Sequence, residues 1–235
     1  MSNRMQAEGH PIIDPAQPME HVLVDMDVVD RKVADREVDG RQAHEVTLRR
    51  TYDASIDEVW SACTEADRIA RWMLPVTGDL RLGGHYQLEG NAGGEILECE
   101  PPERFKITWI FGDPGPDPFS EVEVRLVSTT AGQTTLTLTH TAVVDPAFWG
   151  TFGPGSIGVG YDRTLVGLAA HLAGIDKGDP EELDRSHMMR DFMTRSAARW
   201  READEASGVA ADVATARAEA TRNFYVPQPD ATSGG

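Results

Sequence analysis

The chain lacks several things, and each absence excludes a class of protein. Among 235 residues there are two cysteines, Cys63 and Cys99. They form no metal-type pair and supply no disulfide framework, so both read as reduced thiols in or near a core. No apolar run approaches the ~20 residues of a membrane-spanning helix. The opening "MSNRMQAEGHPIIDPAQPMEH" lacks the apolar stretch of a secretory leader. Positive charge is also scarce. The 22 basic residues stand against 39 acidic ones, for a net charge of −17, and such a surface repels the phosphates of nucleic acid and anionic lipid. The expectation is a soluble, cytoplasmic protein with no nucleic-acid partner and no membrane span.

Chemical signatures are equally sparse. There are no paired carboxylates at matched positions, no nucleophile elbow and no metal-spaced set of His, Cys and Asp. His44, His85, His171 and His187 are scattered along the chain. No metal and no cofactor is expected.

The apolar content is ample. Hydrophobic residues make up 40%, with five Trp and seven Phe, enough for a sizeable core, and the length suits one domain with appendages. Residues 1–17 are polar and rich in Pro. Pro18 and Gly40 then bracket a stretch in which Val22, Met26, Val29 and Val33 recur at helical spacing, although "HVLVDMDVV" also alternates. An amphipathic helix is predicted there, with a strand as the rival.

"HEVTLRRTYDA" alternates as a strand. In "SIDEVWSACTEADRIARWM", Ser55 with Glu58 makes a capping box, and Thr64 with Asp67 repeats it. Two tandem helices are predicted, burying Val59, Trp60, Ile69 and Trp72. Five strand-like runs follow Pro75, joined by short loops that favour antiparallel neighbours. One face of this sheet collects Phe105, Ile107, Trp109 and Phe111, then Val122, Val124 and Leu126, then Leu136, Leu138 and His140. The other carries Arg125, Thr135, Thr137 and Thr139. The apolar face needs a cover. Asp145-Pro146 opens a short helix with Phe148 and Trp149. A long helix carries Ile157, Tyr161, Leu165, Leu168 and Leu172 on one stripe and stops at Gly174. A further helix from Asp179-Pro180 bears Met189, Met193, Ser196 and Trp200, and a last one runs to Pro227.

"TFGPGSIGVGYDR" contains a literal G-x-G-x-x-G at Gly153, Gly155 and Gly158. The dinucleotide-binding fingerprint requires a β-α-β unit and an acidic residue closing the next strand. Here a capped turn precedes the glycines and a long helix follows, with no return to a parallel strand. The glycines read instead as close packing, the first helical turns approaching the sheet or another loop that a Cβ would push away.

"RRTYDASIDEVWSACTEADRIARWM", "GGHYQLEG", "GEILECEPPERFKITW" and "EVEVRLVSTTAGQTTLTLTH", with the closing glycine-rich helix, resemble the family of heat-shock protein 90 ATPase activator homologues (AHSA-type), of the START-like (SRPBCC) superfamily. The resemblance covers residues 44–174. It implies an α+β helix-grip fold, in which a curved antiparallel sheet wraps a long C-terminal helix with a cavity between them, here with an extra helical tail. The expected organisation is an acidic N-terminal extension over 1–40, a helix-grip domain over 41–175 and a helical extension over 176–235. Superfamily members bind lipids, hormones or polyketides in that cavity, or act on them. Eukaryotic activators pair this domain with a separate chaperone-binding domain, and none is expected in the stretch of about 40 residues, acidic overall, ahead of this fold.

The expected function is binding of a small apolar ligand. The alternatives are an enzyme of the polyketide cyclase or hydrolase sort in the same cavity, and a protein-interaction module in contact with a chaperone or a second copy. The expected lining is Trp60, Trp72, Met73, Trp109, Phe111, Leu138, His140, Trp149, Phe152, Tyr161 and Leu165. No reaction follows from the sequence, and His140 and Tyr161 are the residues most suited to acid–base work. Asp162 is expected to point away from the cavity, and Glu95 to face solvent. The Met-containing stretch "SHMMRDFMTRSAARW" is expected to pack back on the domain.

Overall fold

Strict alternation along the strands builds the sheet. In the computed structural model the described residues are 19, 22–23, 28–112, 118–130, 132–176 and 178–226. Expectations placed on residues 1–17, Pro18, Met26 and Pro227 lie outside them. Eight antiparallel strands run in spatial order β1-β2-β8-β7-β6-β5-β4-β3, in a curved sheet that does not close. They are β1 (Asp30–Val38), β2 (Arg41–Tyr52), β3 (Val76–Gly78), β4 (His85–Leu88), β5 (Gly93–Glu100), β6 (Arg104–Thr108), β7 (Ser120–Thr130) and β8 (Gln133–Ala142). Register sets Leu48 and Val124 beside Leu138, and Val46 and Val122 beside His140. The period of two therefore gathers one continuous apolar inner face.

The outer face is polar. Thr51 and Thr135 join hydroxyls at 2.8 Å. Arg104 pairs with Glu98, Glu100 and Glu123, and Lys106 with Glu121. Such mostly half-buried surface pairs add little stability but keep this side polar.

The segment before β2 divides. Met19, Val22 and Leu23 are helical, as the apolar spacing predicts, but Asp30–Val38 is a strand paired with β2 along its whole length. The helical reading through Val33 is thus corrected. Val33 lies opposite Val46, and sheet pairing overrides a local pattern that carried both periods.

Between β2 and β3 stand α1 (Ile56–Thr64) and α2 (Ala66–Trp72). Ser55 caps α1 by accepting from the Glu58 amide at 3.3 Å. The second expected cap does not form. Glu65 stands at the start of α2 with no side-chain cap bond, and the Thr64 hydroxyl donates back to the Trp60 carbonyl at 2.8 Å. Trp60 is half-buried, its ring edge-on to Phe105, whereas Val59, Ile69 and Trp72 are buried.

After β8, Asp145 caps α3 (Pro146–Phe152), accepting from the Phe148 amide at 2.9 Å. Then α4 (Gly155–Leu172) crosses the inner face, and α5 (Pro180–Arg185), α6 (His187–Ala206) and α7 (Ala211–Tyr225) pack outside it. Met189, Phe192, Met193, Ser196 and Trp200 of α6 are all buried.

The glycine stretch serves this packing. A Cβ on Gly158 would lie 2.0 Å from Trp200, and one on Gly155 2.9 Å from Thr221. Only glycine lets α6 and α7 approach so closely. The neighbours are the C-terminal helices rather than the sheet. Asp162, one turn along, is 2% exposed. It accepts from Arg31 of β1 at 2.9 Å, from the Ser196 hydroxyl at 2.6 Å and from the Trp200 indole at 3.0 Å. One carboxylate thus ties β1, α4 and α6 together, and its donors offset its desolvation.

Candidate functional site

Along α4, Tyr161, Thr164, Leu165 and Leu168 recur on one face, and that face is not fully packed. Between it and the sheet lies a cavity of about 160 Å³. The sheet contributes Val122, Val124, Leu136 and Leu138 from its centre and Ile96, Phe105, Ile107 and Trp109 from the far strands. The tandem helices contribute Cys63, Thr64, Ile69 and Trp72, and Met73, Val76, Leu80, Tyr86, Leu88 and Cys99 complete the wall.

Among these 22 lining residues there is no Asp, Glu, Lys, Arg or His. The polar atoms present mostly turn back into the protein. Thr64 donates to the Trp60 carbonyl at 2.8 Å, and Thr164 to Gly160 at 3.0 Å. Trp72 donates to Ala62 at 2.9 Å, and Tyr86 to the Thr108 carbonyl at 2.7 Å. Burial pushes the Cys63 thiol up to about 12 against a small opposing effect of Arg68, so it carries no thiolate at neutral pH. Burial also holds the Tyr86 phenol well above its ordinary value. The space therefore favours an uncharged, apolar occupant, since an ion would lose its hydration with nothing charged to meet it. Its volume matches apolar cavities of about 150 Å³ that stay dry and take up benzene.

Behind the wall lies a polar chain. The Tyr161 hydroxyl is 3.1 Å from His140 Nδ1, and His140 Nε2 is 2.8 Å from Ser120 Oγ. Burial drives the imidazole down to about 4, so it is neutral at pH 7. Burial raises the Tyr161 phenol, and the nearby Tyr86 adds to the effect.

Of the residues expected at the site, Trp72, Met73, Trp109, Leu138, Tyr161 and Leu165 border the cavity. The other five lie elsewhere, for identifiable reasons. His140 stands behind Tyr161. Trp60 packs edge-on to Phe105. Phe111 lies past the end of β6, where the alternation stops, and is 65% exposed. Trp149 stacks flat on His44 at 3.9 Å between centroids. Phe152 packs on Phe148 and Phe224. Sequence reasoning missed Ser120, whose signal was its inward phase with Val122 and Val124. It also missed the two cysteines as wall residues. Glu95 is half-buried and His85 and His187 are exposed. Among the described residues no group of three or more His, Cys, Asp and Glu can hold a metal ion, and no helix is long and apolar enough to cross a membrane.

A curved antiparallel sheet gripping a long helix over an apolar cavity defines a helix-grip, START-like domain. The family model described as Activator of Hsp90 ATPase homolog 1-like protein matches residues 53–170. The crystal structure of CalU16 from Micromonospora echinospora is 35% identical over 72% of this chain and 96% of its own, with a TM-score of 0.56. Its solution structure is 35% identical over 76% and 96%, with a TM-score of 0.61. An Hsp90 activator from Plasmodium falciparum is 28% identical over 43% of this chain and 74% of its own, with a TM-score of 0.39. No curated protein matches. The chain belongs to the family of Activator of Hsp90 ATPase homolog 1-like proteins. The matched residues leave β1, β2 and α5 to α7 outside them.

Proposed function

We propose that the protein is a binding module for a small, uncharged apolar molecule held between α4 and the sheet. The observation that carries this reading is a 160 Å³ space walled by 22 residues without one carboxylate, lysine, arginine or histidine. A void of that size costs packing energy if nothing fills it, and a concave apolar wall with few polar groups is the usual form of a small-molecule site. The aromatic rings of Trp72, Phe105, Trp109 and Tyr161 suit a flat, ring-containing ligand. Native mass spectrometry of the protein as isolated tests this. A bound small molecule lost on collisional activation is the expected result. An unliganded mass, together with no saturable uptake of uncharged aromatic probes, overturns it.

The family's name also brings a contact with the chaperone Hsp90 as a second reading. Capture of purified Hsp90 that survives filling of the cavity supports it, and failure to capture at micromolar concentrations removes it.

A further inference from the structure

We infer that Tyr161, His140 and Ser120 form a proton relay between the cavity and solvent, which makes Tyr161 a general acid–base for a bound ligand bearing a carbonyl or hydroxyl oxygen. The use of the relay rests on the cavity being a ligand site, but the relay itself does not. Three hydrogen-bonding groups stand in line. Tyr161 borders the cavity, its hydroxyl lies 3.1 Å from His140 Nδ1, and His140 Nε2 lies 2.8 Å from Ser120 Oγ. His140 is 6% exposed, whereas Ser120 at the start of β7 is half-buried.

A buried structural histidine needs one partner for each nitrogen. Here the two partners are a residue of the cavity wall, Tyr161, and a half-buried serine at the start of β7, Ser120. With the Nδ1–H tautomer, Ser120 donates to Nε2, and Nδ1–H donates to the Tyr161 oxygen. The phenol proton is then free to point at a ligand. When the ligand oxygen takes that proton, the Tyr161 O–H bond breaks and the Nδ1 proton moves to the phenol oxygen. Nε2 takes the Ser120 proton, and Ser120 takes one from water. Nothing is oxidised or reduced, and the net change is one proton carried from solvent to ligand. The imidazole ends as the other tautomer, and an outward transfer restores it. The relay thus suits chemistry that both gives and withdraws a proton at oxygen. Neutral imidazole serves at both ends of the cycle, so a ring that resists protonation is no handicap.

Ligand-free protein tests the relay, so its failure is separate from failure to bind a ligand. With tyrosine labelled with ¹³C at Cζ, spectra in mixed H₂O and D₂O report the rate at which the Tyr161 hydroxyl exchanges, and Tyr161→Phe assigns the signal. Ser120→Ala should slow that exchange by about tenfold or more. His140→Gln, which has no second tautomer, should slow it similarly, and Ser120→Thr should restore it. An exchange rate that is unchanged or faster in Ser120→Ala, including a signal that stays averaged in both proteins, overturns the relay. Equal far-ultraviolet circular dichroism of the variants keeps the comparison free of unfolding.

Discussion

Two faces of one helix have opposite fates in this molecule. On α4, Tyr161, Leu165 and Leu168 border the cavity, while Gly158 meets α6 without room for a Cβ and Asp162 is buried against α6 through Ser196 and Trp200. Asp162 follows Tyr161 by one residue, about 100° round the helix. The contrast shows that the cavity is not a symptom of poor packing. The same helix is held along the flank of that face by an indole laid on a glycine and by a carboxylate with donors from Arg31, Ser196 and Trp200. A rigid outer seam allows the inner face to stay hollow without the helix sinking into the sheet.

Breaking the seam should have the largest effect. Asp162→Ala takes from Arg31, 5% exposed at its side chain, the buried carboxylate it donates to, and should cost about 3–5 kcal/mol. Chemical denaturation checks this, and a loss below about 1 kcal/mol would mean that the carboxylate does not hold β1 and α6 to α4.

Acid should act next, through the inner face. His140 is held near pKa 4 when folded, against about 6.5 unfolded. The unfolded chain binds the proton more readily, so stability is full above about pH 6.5 and falls as the pH drops toward 4. The loss across that window should be roughly 3 kcal/mol. Unfolding curves at pH 7 and pH 5 should diverge less in His140→Gln, and an undiminished slope in that variant would assign the effect to other groups.

Gly158→Val sharpens the comparison from the crowded side. Its Cβ meets the Trp200 ring, and overpacking of this kind costs about 1–3 kcal/mol. The matching enlargement on the hollow side, Leu138→Trp, should change stability by less than about 1 kcal/mol, because its added volume enters existing space. Parallel denaturation of the two variants checks the pair, and equal losses would erase the distinction between the faces.

Much of this plan was legible from the residues. Alternation in β2 and β6 to β8, the cap at Asp145, and the stripe from Ile157 to Leu172 are local signals with one period each. The glycine-rich stretch declared tight packing, but its partner, Trp200, lies far along the chain and left no local mark. The same holds for Asp162, whose donors come from β1 and α6. β1 was hidden because an edge strand with alternating charge, from Arg31 to Glu37, has only a weak apolar phase. At the site, parity placed Leu138 and Tyr161 inward. It overreached at Phe111, beyond the strand end, and at Trp149, where a helix turns the ring onto His44.

Ligand uptake by the hollow face can be measured by titration calorimetry with 2-naphthol, an uncharged fused-ring probe. Wild-type protein should bind one equivalent with a Kd of about 10–100 µM, and Leu138→Trp, folded by circular dichroism, should bind about tenfold more weakly or not at all. No saturable heat with the wild type, or the same affinity in both proteins, would contradict it.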